Sequence, residues 1–302
     1  MSITVVGPGA LGCLFAALLS RAGHPVWFLD HDPERAYQLS RQGICLIETT
    51  SNTYPVKSTA NAKEIGATDV VLLCVKSYDV HDALRQAAPL LEDGPLLIAM
   101  QNGLGHHEAL RQVKNWAVGI TAQGAALIEP GVVKHGGSGL TTLGFMDKVG
   151  PEMLKCLAEV AALFEGAGLS TQISSDIEAT IWNKLLINAG INALTVIYDC
   201  PNGKLLENPK AREYLRQAVM EAAAVAAAKG IKITTDPVAK AEMVCRATSQ
   251  NISSMLQDIR HGQTTEIESI NGVIVREAES LGMPAPVNTL LTAKVRALQA
   301  VD

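Results

Sequence analysis

A long apolar segment near the middle of the chain carries a narrow polar stripe. Within Ala179–Tyr198 no charged residue follows Lys184, and Lys184, Asn188 and Asn192 recur at every fourth residue. Four residues advance a helix by roughly 400° at ~3.6 residues per turn, so these side chains should share one face. A buried amide without a partner costs about 1–3 kcal/mol. A small polar ligand opposite the stripe is therefore our interpretation, and a face that meets water is the alternative.

The two halves of the chain differ in the period of their apolar positions. In the first half short apolar runs alternate with helical periodicity, which predicts a parallel sheet. Strands are expected over 3–6, 26–29, 70–75, 96–100 and 117–121, and helices over 14–21 and 78–91. Glycine-rich alternating pieces over 124–144 predict antiparallel strands that cap the sheet edge. Beyond residue 168 helical segments follow, opening at 208, 236, 264 and 288, two of them with a cap residue and then proline.

A glycine-rich turn stands between the first predicted strand and the first predicted helix. It has the G-x-G-x-x-G spacing, and Asp30 ends the next strand 18 residues after its last glycine. Its six residues are Gly7, Pro8, Gly9, Ala10, Leu11 and Gly12. In this order the glycines permit a tight turn, close approach of a pyrophosphate, and tight packing of helix on strand. A structural turn without a ligand is the alternative. The sequence thus predicts an α/β protein, with a doubly wound Rossmann-type domain over 1–168 and an all-helical domain over 169–302.

Further polar residues stand at positions where ligands bind in such folds. Lys76 and Asn102 follow predicted strands, and ligands bind beyond the carboxyl ends of parallel strands. Lys76 could meet a cofactor phosphate or ribose, and Asn102 the nicotinamide or substrate, although ordinary loop polarity explains each equally well. Glu266 is expected in the first turn of its helix, where acidic residues are common in any case.

The composition excludes several classes of partner. The net charge is −5, with no cluster of Lys and Arg, so nucleic acid is not expected. No uninterrupted apolar stretch reaches the ~20 residues that span a bilayer, and no signal pattern is present, so a cytoplasmic protein without a membrane partner is expected. The six cysteines form no C-x-x-C pair and no metal site is predicted. A homodimer is left open.

Taken together, the motifs resemble those of the ketopantoate reductase family, from the glycine turn to the last helix. The residues that carry the resemblance are the glycine turn, Trp182-Asn183-Lys184 with Asn188 and Asn192, Cys200-Pro201-Asn202-Gly203, and 251–258 with Glu266. The resemblance implies reduction of the keto acid ketopantoate to pantoate with NADPH, on the route to pantothenate and coenzyme A. It implies that Lys184 and Glu266 are catalytic, that Asn102, Asn188, Asn192 and Ser254 bind substrate, and that Asn102 and Glu266 also contact the cofactor.

One departure from the family pattern concerns the cofactor. Many relatives that use NADPH place an arginine at the end of the second strand, where this chain has Asp30-His31. An acid there usually binds the ribose 2′-hydroxyl and repels a 2′-phosphate. Lys76, Arg35 or a protonated His31 could still accommodate NADPH. NADP is the expected cofactor, and Asp30 leaves NAD open.

Three rival interpretations remain at this point. The first is a related dehydrogenase acting on another 2-keto or 3-hydroxy acid. The second is a dinucleotide-sensing protein without turnover. The third assigns acid–base chemistry to His106 or His107.

Overall fold

The computed structural model describes residues 1–233 and 235–299, which form two compact units. The first unit comprises residues 1–101 and 106–177. The second comprises residues 102–105 together with the chain from Glu178 onward. The short segment 102–105 therefore belongs to the helical second half, although it lies within the sequence of the first. Within the described residues, no helix has both the length and the apolar character needed to cross a bilayer.

The first unit alternates strands and helices. Its strands are β1 Ile3–Val6, β2 Val26–Leu29, β3 Ile44–Ile47, β4 Ser51–Tyr54, β5 Lys57–Thr59, β6 Val70–Leu73, β7 Leu96–Ala99, β8 Trp116–Thr121, β9 Gly124–Glu129, β10 Val132–Gly137, β11 Thr141–Gly144 and β12 Thr171–Ile173. Its helices are α1 Ala10–Arg21, α2 Pro33–Gln42, α3 Val80–Leu91, α4 His107–Leu110 and α5 Pro151–Gly166.

An eight-stranded sheet forms the frame of this unit, in the order β12-β11-β8-β7-β6-β1-β2-β5. All neighbours are parallel except β8 and β11, which run antiparallel. Successive side chains of β1 belong to two different apolar clusters. Val5 packs in the cluster that contains Phe15 and Leu18, whereas Val6 packs in the cluster that contains Leu84. A central parallel strand covered on both faces needs an apolar run, which is what the sequence has there. The structure confirms the predicted α/β Rossmann-type sheet.

The glycine-rich region after β8 differs from its prediction. The hairpin of β9 and β10 does not cap the main sheet but joins β3 and β4 in a second sheet, ordered β4-β3-β10-β9. Val133 is fully buried there, in the cluster that contains Ile44 and Leu46. Only β11 extends the main sheet, and β12 pairs with it. By its contacts, the compact first unit includes residues up to Ile177.

The second unit is helical. Its helices are α6 Ile177–Tyr198, α7 Lys204–Glu207, α8 Pro209–Ala228, α9 Pro237–Ala247, α10 Ser254–Arg260, α11 Ile267–Ser280 and α12 Pro286–Gln299. The apolar sides of α6 supply its core, with Trp182, Leu185 and Ala189 fully buried. Asn208 and Asp236 cap α8 and α9 by accepting two backbone N–H bonds each, ahead of the predicted prolines.

A buried amide network fixes α11 against its neighbours. Asn271 on α11 is 0% exposed and donates to the carbonyl of Ala189 on α6 at 3.0 Å and to Oδ1 of Asn288 on α12 at 3.0 Å. Asn288 in turn donates to the carbonyl of Ala218 and to Glu221, both on α8. Removing one member of such a network leaves buried polar groups unpaired, so these bonds hold the four helices in one arrangement.

The adjacent histidines before β8 do not have the properties of an acid–base pair. His106 is buried, and neither of its ring nitrogens has a hydrogen-bond partner among the described residues. Burial lowers the pKa of His106 to about 3 and that of His107 to about 4. Both rings are therefore neutral near pH 7 and lack the imidazolium proton that a general acid would donate. The structure counts against the third rival interpretation.

Candidate active site

The glycine turn of the first unit has the geometry that its spacing predicts. Gly7 has φ +95°, and a Cβ there would lie 2.7 Å from Val75 Cγ1. A Cβ on Gly12 would lie 2.2 Å from the carbonyl oxygen of Gly7, so only glycine lets α1 begin so close to the strand. Gly9 differs, because no atom lies within 4 Å of the position of its Cβ. It is also the N-cap of α1, whose first N–H groups receive no side-chain cap. This open approach to a helix N-terminus fits a dinucleotide pyrophosphate.

At the end of β2, the structure ties Asp30 to a cation. The Asp30 side chain is 0% exposed and accepts two bonds from Arg35 on α2, from Nε at 2.6 Å and from Nη2 at 2.5 Å. It also accepts the backbone N–H of Asp32. His31 is exposed and has Nδ1 3.6 Å from Asp30 Oδ1. The acid at the end of β2 is therefore a buried carboxylate that is paired with the partly exposed guanidinium of Arg35.

The ends of β6 and β7 are joined by a side-chain amide. Gln101 Nε2 donates to the carbonyls of Leu73 and Val75, at 2.7 and 3.0 Å. Lys76 follows directly, partly buried, ahead of a short 3-10 turn over Ser77–Asp79. Because β6 and β2 both pair with β1 in parallel, Lys76 and Asp30 lie at the same carboxyl edge of the sheet.

In the second unit, three polar residues that are distant in sequence come together. Lys184 Nζ donates to Asn102 Oδ1 at 2.7 Å, and Asn102 Nδ2 donates to Glu266 Oε2 at 3.2 Å. Glu266 is buried, with 6% of its surface exposed, and is the N-cap of α11, whereas the sequence predicted it within the first turn of a helix opening at 264. One amide thus bridges an ammonium group and a carboxylate, with its oxygen toward the cation and its nitrogen toward the anion.

The surroundings of Lys184 change its acidity. Burial lowers the pKa of its ammonium group from 10.5 to about 8, and the nearby Glu266 carboxylate offsets part of that shift. An acid whose pKa lies near the working pH transfers protons efficiently. Lys184 can therefore both stabilise a developing negative charge and supply a proton.

The rest of the stripe supplies donors that the protein itself does not use. Asn188 is partly buried and Asn192 is buried. Among the described residues, neither side-chain amide makes a hydrogen bond to another residue. At the start of α10, Ser253 is the cap: its Oγ accepts the N–H of Leu256 and bonds to Thr195 Oγ1 at 2.6 Å. The adjacent Ser254 is exposed.

Sequence reasoning did not find two features of this site. The buried Asn271 holds α11 on α6, and Arg35 pairs with Asp30. The N-terminal position of Arg35 on α2, five residues after Asp30, was an available signal for the second feature. For the first there was none, because a lone Asn in a helix does not identify its partner. Within the described part of the chain, no cluster of three or more His, Cys, Asp or Glu residues could hold a metal ion.

The first unit has a Rossmann-type sheet with an open glycine turn, and in the second unit Asn102 joins Lys184 to Glu266. The class of protein is a dinucleotide-dependent oxidoreductase acting on a CH–OH group. Family models agree: the one described as "Ketopantoate reductase PanE/ApbA" matches residues 3–148, and "Ketopantoate reductase PanE/ApbA C terminal" matches residues 176–299. The chain belongs to the ketopantoate reductase family.

Individual relatives agree over the full length. The chain is 35% identical to a 2-dehydropantoate 2-reductase of Halobacterium salinarum over 99% of both chains. Among solved structures, it resembles a PanE/ApbA family ketopantoate reductase of Ralstonia eutropha JMP134, with TM-score 0.89 and 29% identity, covering 99% of this chain and 98% of the other. It also resembles D-mandelate dehydrogenase, solved with NADH and anilino(oxo)acetate, with TM-score 0.91 and 25% identity, covering 99% and 98%.

Proposed function

We propose that this chain reduces ketopantoate to pantoate with NADPH, in the route to pantothenate and coenzyme A, with Lys184 as the general acid. The observation that carries the proposal is the bridge from Lys184 through Asn102 to Glu266, in a chain of this family. An ammonium group with a pKa of about 8, bonded to the Asn102 amide, is suited to donate the proton that ketone reduction requires.

The chemistry follows from the charge that develops in the reaction. The bound dinucleotide supplies a hydride to the ketone carbon. Negative charge then builds on the carbonyl oxygen, where the Lys184 ammonium stabilises it and transfers its proton. Asn102 directs the ammonium group by accepting one of its N–H bonds.

The other polar residues suit the remaining groups of the substrate. A carboxylate is satisfied by neutral N–H and O–H donors, which Asn188, Asn192 and Ser254 can provide. A carboxylate accepts hydrogen bonds, so the role that we assign to Glu266 is to accept one from the substrate hydroxyl.

For the dinucleotide, we assign the pyrophosphate to Gly7, Gly9 and the first turn of α1, and the adenosine end to Arg35, His31 and Lys76. Asp30 supports NADPH instead of opposing it, because its carboxylate is buried and paired. It already accepts three N–H bonds, from Arg35 and Asp32, and its burial disfavours a further bond from a ribose 2′-hydroxyl. The partly exposed guanidinium and Lys76 supply positive charge for a 2′-phosphate.

Replacing Arg35 with alanine should reverse this preference. The change removes a cation and uncovers the Asp30 carboxylate, so kcat/KM with NADPH should fall by about 10–10²-fold, the value of a charge-assisted hydrogen bond. The kcat/KM with NADH should fall much less. Steady-state rates with both coenzymes measure the effect.

Two variants control for this experiment. Arg41→Ala removes an exposed cation from the same helix, where the arginine donates to the Tyr37 hydroxyl and lies over its ring, and should leave the ratio unchanged. Asp30→Asn releases Arg35 without leaving a buried charge, and should keep or increase the NADPH preference. An equal loss with both coenzymes in Arg35→Ala would refute the assignment.

The proposed function is tested by assaying the purified protein with NADPH and NADH on ketopantoate, phenylglyoxylate and pyruvate. The similarity to D-mandelate dehydrogenase makes reduction of an aryl 2-oxo acid with NADH the second candidate. A clear preference for ketopantoate supports the proposal, and a preference for phenylglyoxylate supports the second candidate. Binding of the dinucleotide without oxidation by any keto acid would instead indicate a sensing protein.

A further inference from the structure

We propose that residues 102–105 are a positioning segment, in which Gly103 and Leu104 clamp the chain onto the Ser269 carbonyl so that Asn102 stays between Lys184 and Glu266. The inference rests on the proposed function. It concerns Gly103 and Leu104, which need not touch substrate or cofactor.

The first part of the clamp is the close approach at Gly103. This residue has φ +77°, and a Cβ built on it would lie 1.9 Å from the carbonyl oxygen of Ser269 and 2.7 Å from its carbonyl carbon. Both atoms are helix backbone, which cannot rotate away as a flexible side chain could. Only glycine therefore lets the segment lie against α11 at this point.

The second part is a bond to the same carbonyl. The backbone N–H of Leu104 donates to Ser269 O at 3.0 Å, and the Leu104 side chain packs against the helical core. Neighbouring Gly105 has φ +97°, but its Cβ position is 3.5 Å from Arg276 Nη2, an ordinary contact. Gly103 and Gly105 thus share an unusual backbone conformation, whereas only Gly103 needs the space.

The clamp acts on the turn that carries Glu266. Ser269 donates its N–H to the Glu266 carbonyl at 3.1 Å, so the two residues belong to one turn at the start of α11. Asn102, directly before Gly103, makes its two bonds within this frame. A displacement of about 1 Å in such a group can cost ~10²-fold in rate. The short segment therefore sets the geometry of the ammonium–amide–carboxylate row.

The test compares Gly103→Ala with Gly105→Ala. Both variants place an L side chain at a positive φ in the same segment, and only the first intrudes on Ser269. For Gly103→Ala we expect kcat/KM for ketopantoate to fall by about 10²-fold, with the Kd for NADPH, measured by fluorescence, changed by less than about threefold. Gly105→Ala should remain within about threefold of wild type in both.

A second measurement does not depend on turnover. Acylation of Lys184 as a function of pH, followed by mass spectrometry, should give a midpoint near 8 in wild type and in Gly105→Ala. In Gly103→Ala the midpoint should rise toward 10.5, because displacement of Asn102 admits water and relieves the burial that lowers this pKa.

The outcomes separate the two proposals. If wild type fails to reduce ketopantoate, the proposed function is wrong, and the labelling experiment still tests the clamp. If Gly103→Ala keeps both the rate and the midpoint of wild type, or if Gly105→Ala loses as much as Gly103→Ala, the clamp is wrong. Should Gly103→Ala not fold, Leu104→Ala shortens the apolar part of the clamp, and must shift the midpoint in the same direction for the proposal to stand.

Discussion

Replacing Lys184 with alanine should lower the turnover of ketopantoate on the order of 10²–10⁴-fold, the usual contribution of a positioned general acid. The loss should appear mainly in kcat, since the proton and the full positive charge are needed in the transition state more than in the ground state. The Kd for NADPH should change little, because the proposed pyrophosphate site is the glycine turn. Stopped-flow oxidation of NADPH at saturating substrate measures the effect.

The matched control for this variant is Lys204→Ala. Lys204 lies in the same unit and is exposed, and its ion-pair partner among the described residues is Glu207. Its removal changes the net charge equally. Water screens an exposed pair of this type, so the pair contributes little to stability and the variant should fold and turn over normally. Turnover of Lys184→Ala close to that of the control would remove Lys184 from the mechanism.

Replacing Glu266 with glutamine should have the second largest effect. The change keeps the size of the side chain and removes its charge, so a charge-assisted bond worth about 1.5–3 kcal/mol is lost, or roughly 10–10² in kcat/KM. We expect the loss chiefly as a higher KM for ketopantoate, because the proposed partner of Glu266 is the substrate hydroxyl. Initial rates over a range of ketopantoate concentrations separate KM from kcat.

The control here is Glu268→Gln, two residues further along α11. Glu268 is partly exposed and accepts two bonds from Arg296, at 2.5 and 2.7 Å. It carries the same charge in the same turn, and among the described residues its ion-pair partners are Arg296 and Arg276. Near-normal KM is expected for Glu268→Gln, and an equal rise of KM in both variants would mean that Glu266 acts only through the general charge of the helix.

The sequence predicted those features that are determined by residues close together along the chain. One local motif consists of the buried run at β1, the glycine turn, the helix α1 and the strand β2 that ends before Asp30. The structure confirms this order of strand, turn, helix and strand. The polar stripe on α6 is local as well, because helical geometry alone places Lys184, Asn188 and Asn192 on one face. The resemblance to ketopantoate reductases then added Glu266, which by itself looked like an ordinary acid near a helix start.

Long-range pairings could not be obtained in this way. Nothing in the sequence around Asn102 indicates that it meets Lys184, 82 residues later, and Glu266, 164 residues later. The pairing of β10 with β3 likewise joins segments whose own patterns read only as short strands. The sequence placed Asp30 correctly at the end of β2. Whether its carboxylate is available to a ribose depends on the orientation of the Arg35 side chain, which the sequence does not determine.

The central claim is that Lys184 donates the proton, and the pH dependence of kcat/KM for ketopantoate tests it most directly. Reduction needs the protonated ammonium, so the rate should be constant at lower pH and fall about tenfold per pH unit above a pKa of about 8. Glu266 raises this pKa, so in Glu266→Gln the descending limb should begin at lower pH. A profile that stays level to pH 10, or a limb that does not move in Glu266→Gln, would contradict the assignment of Lys184 as the acid.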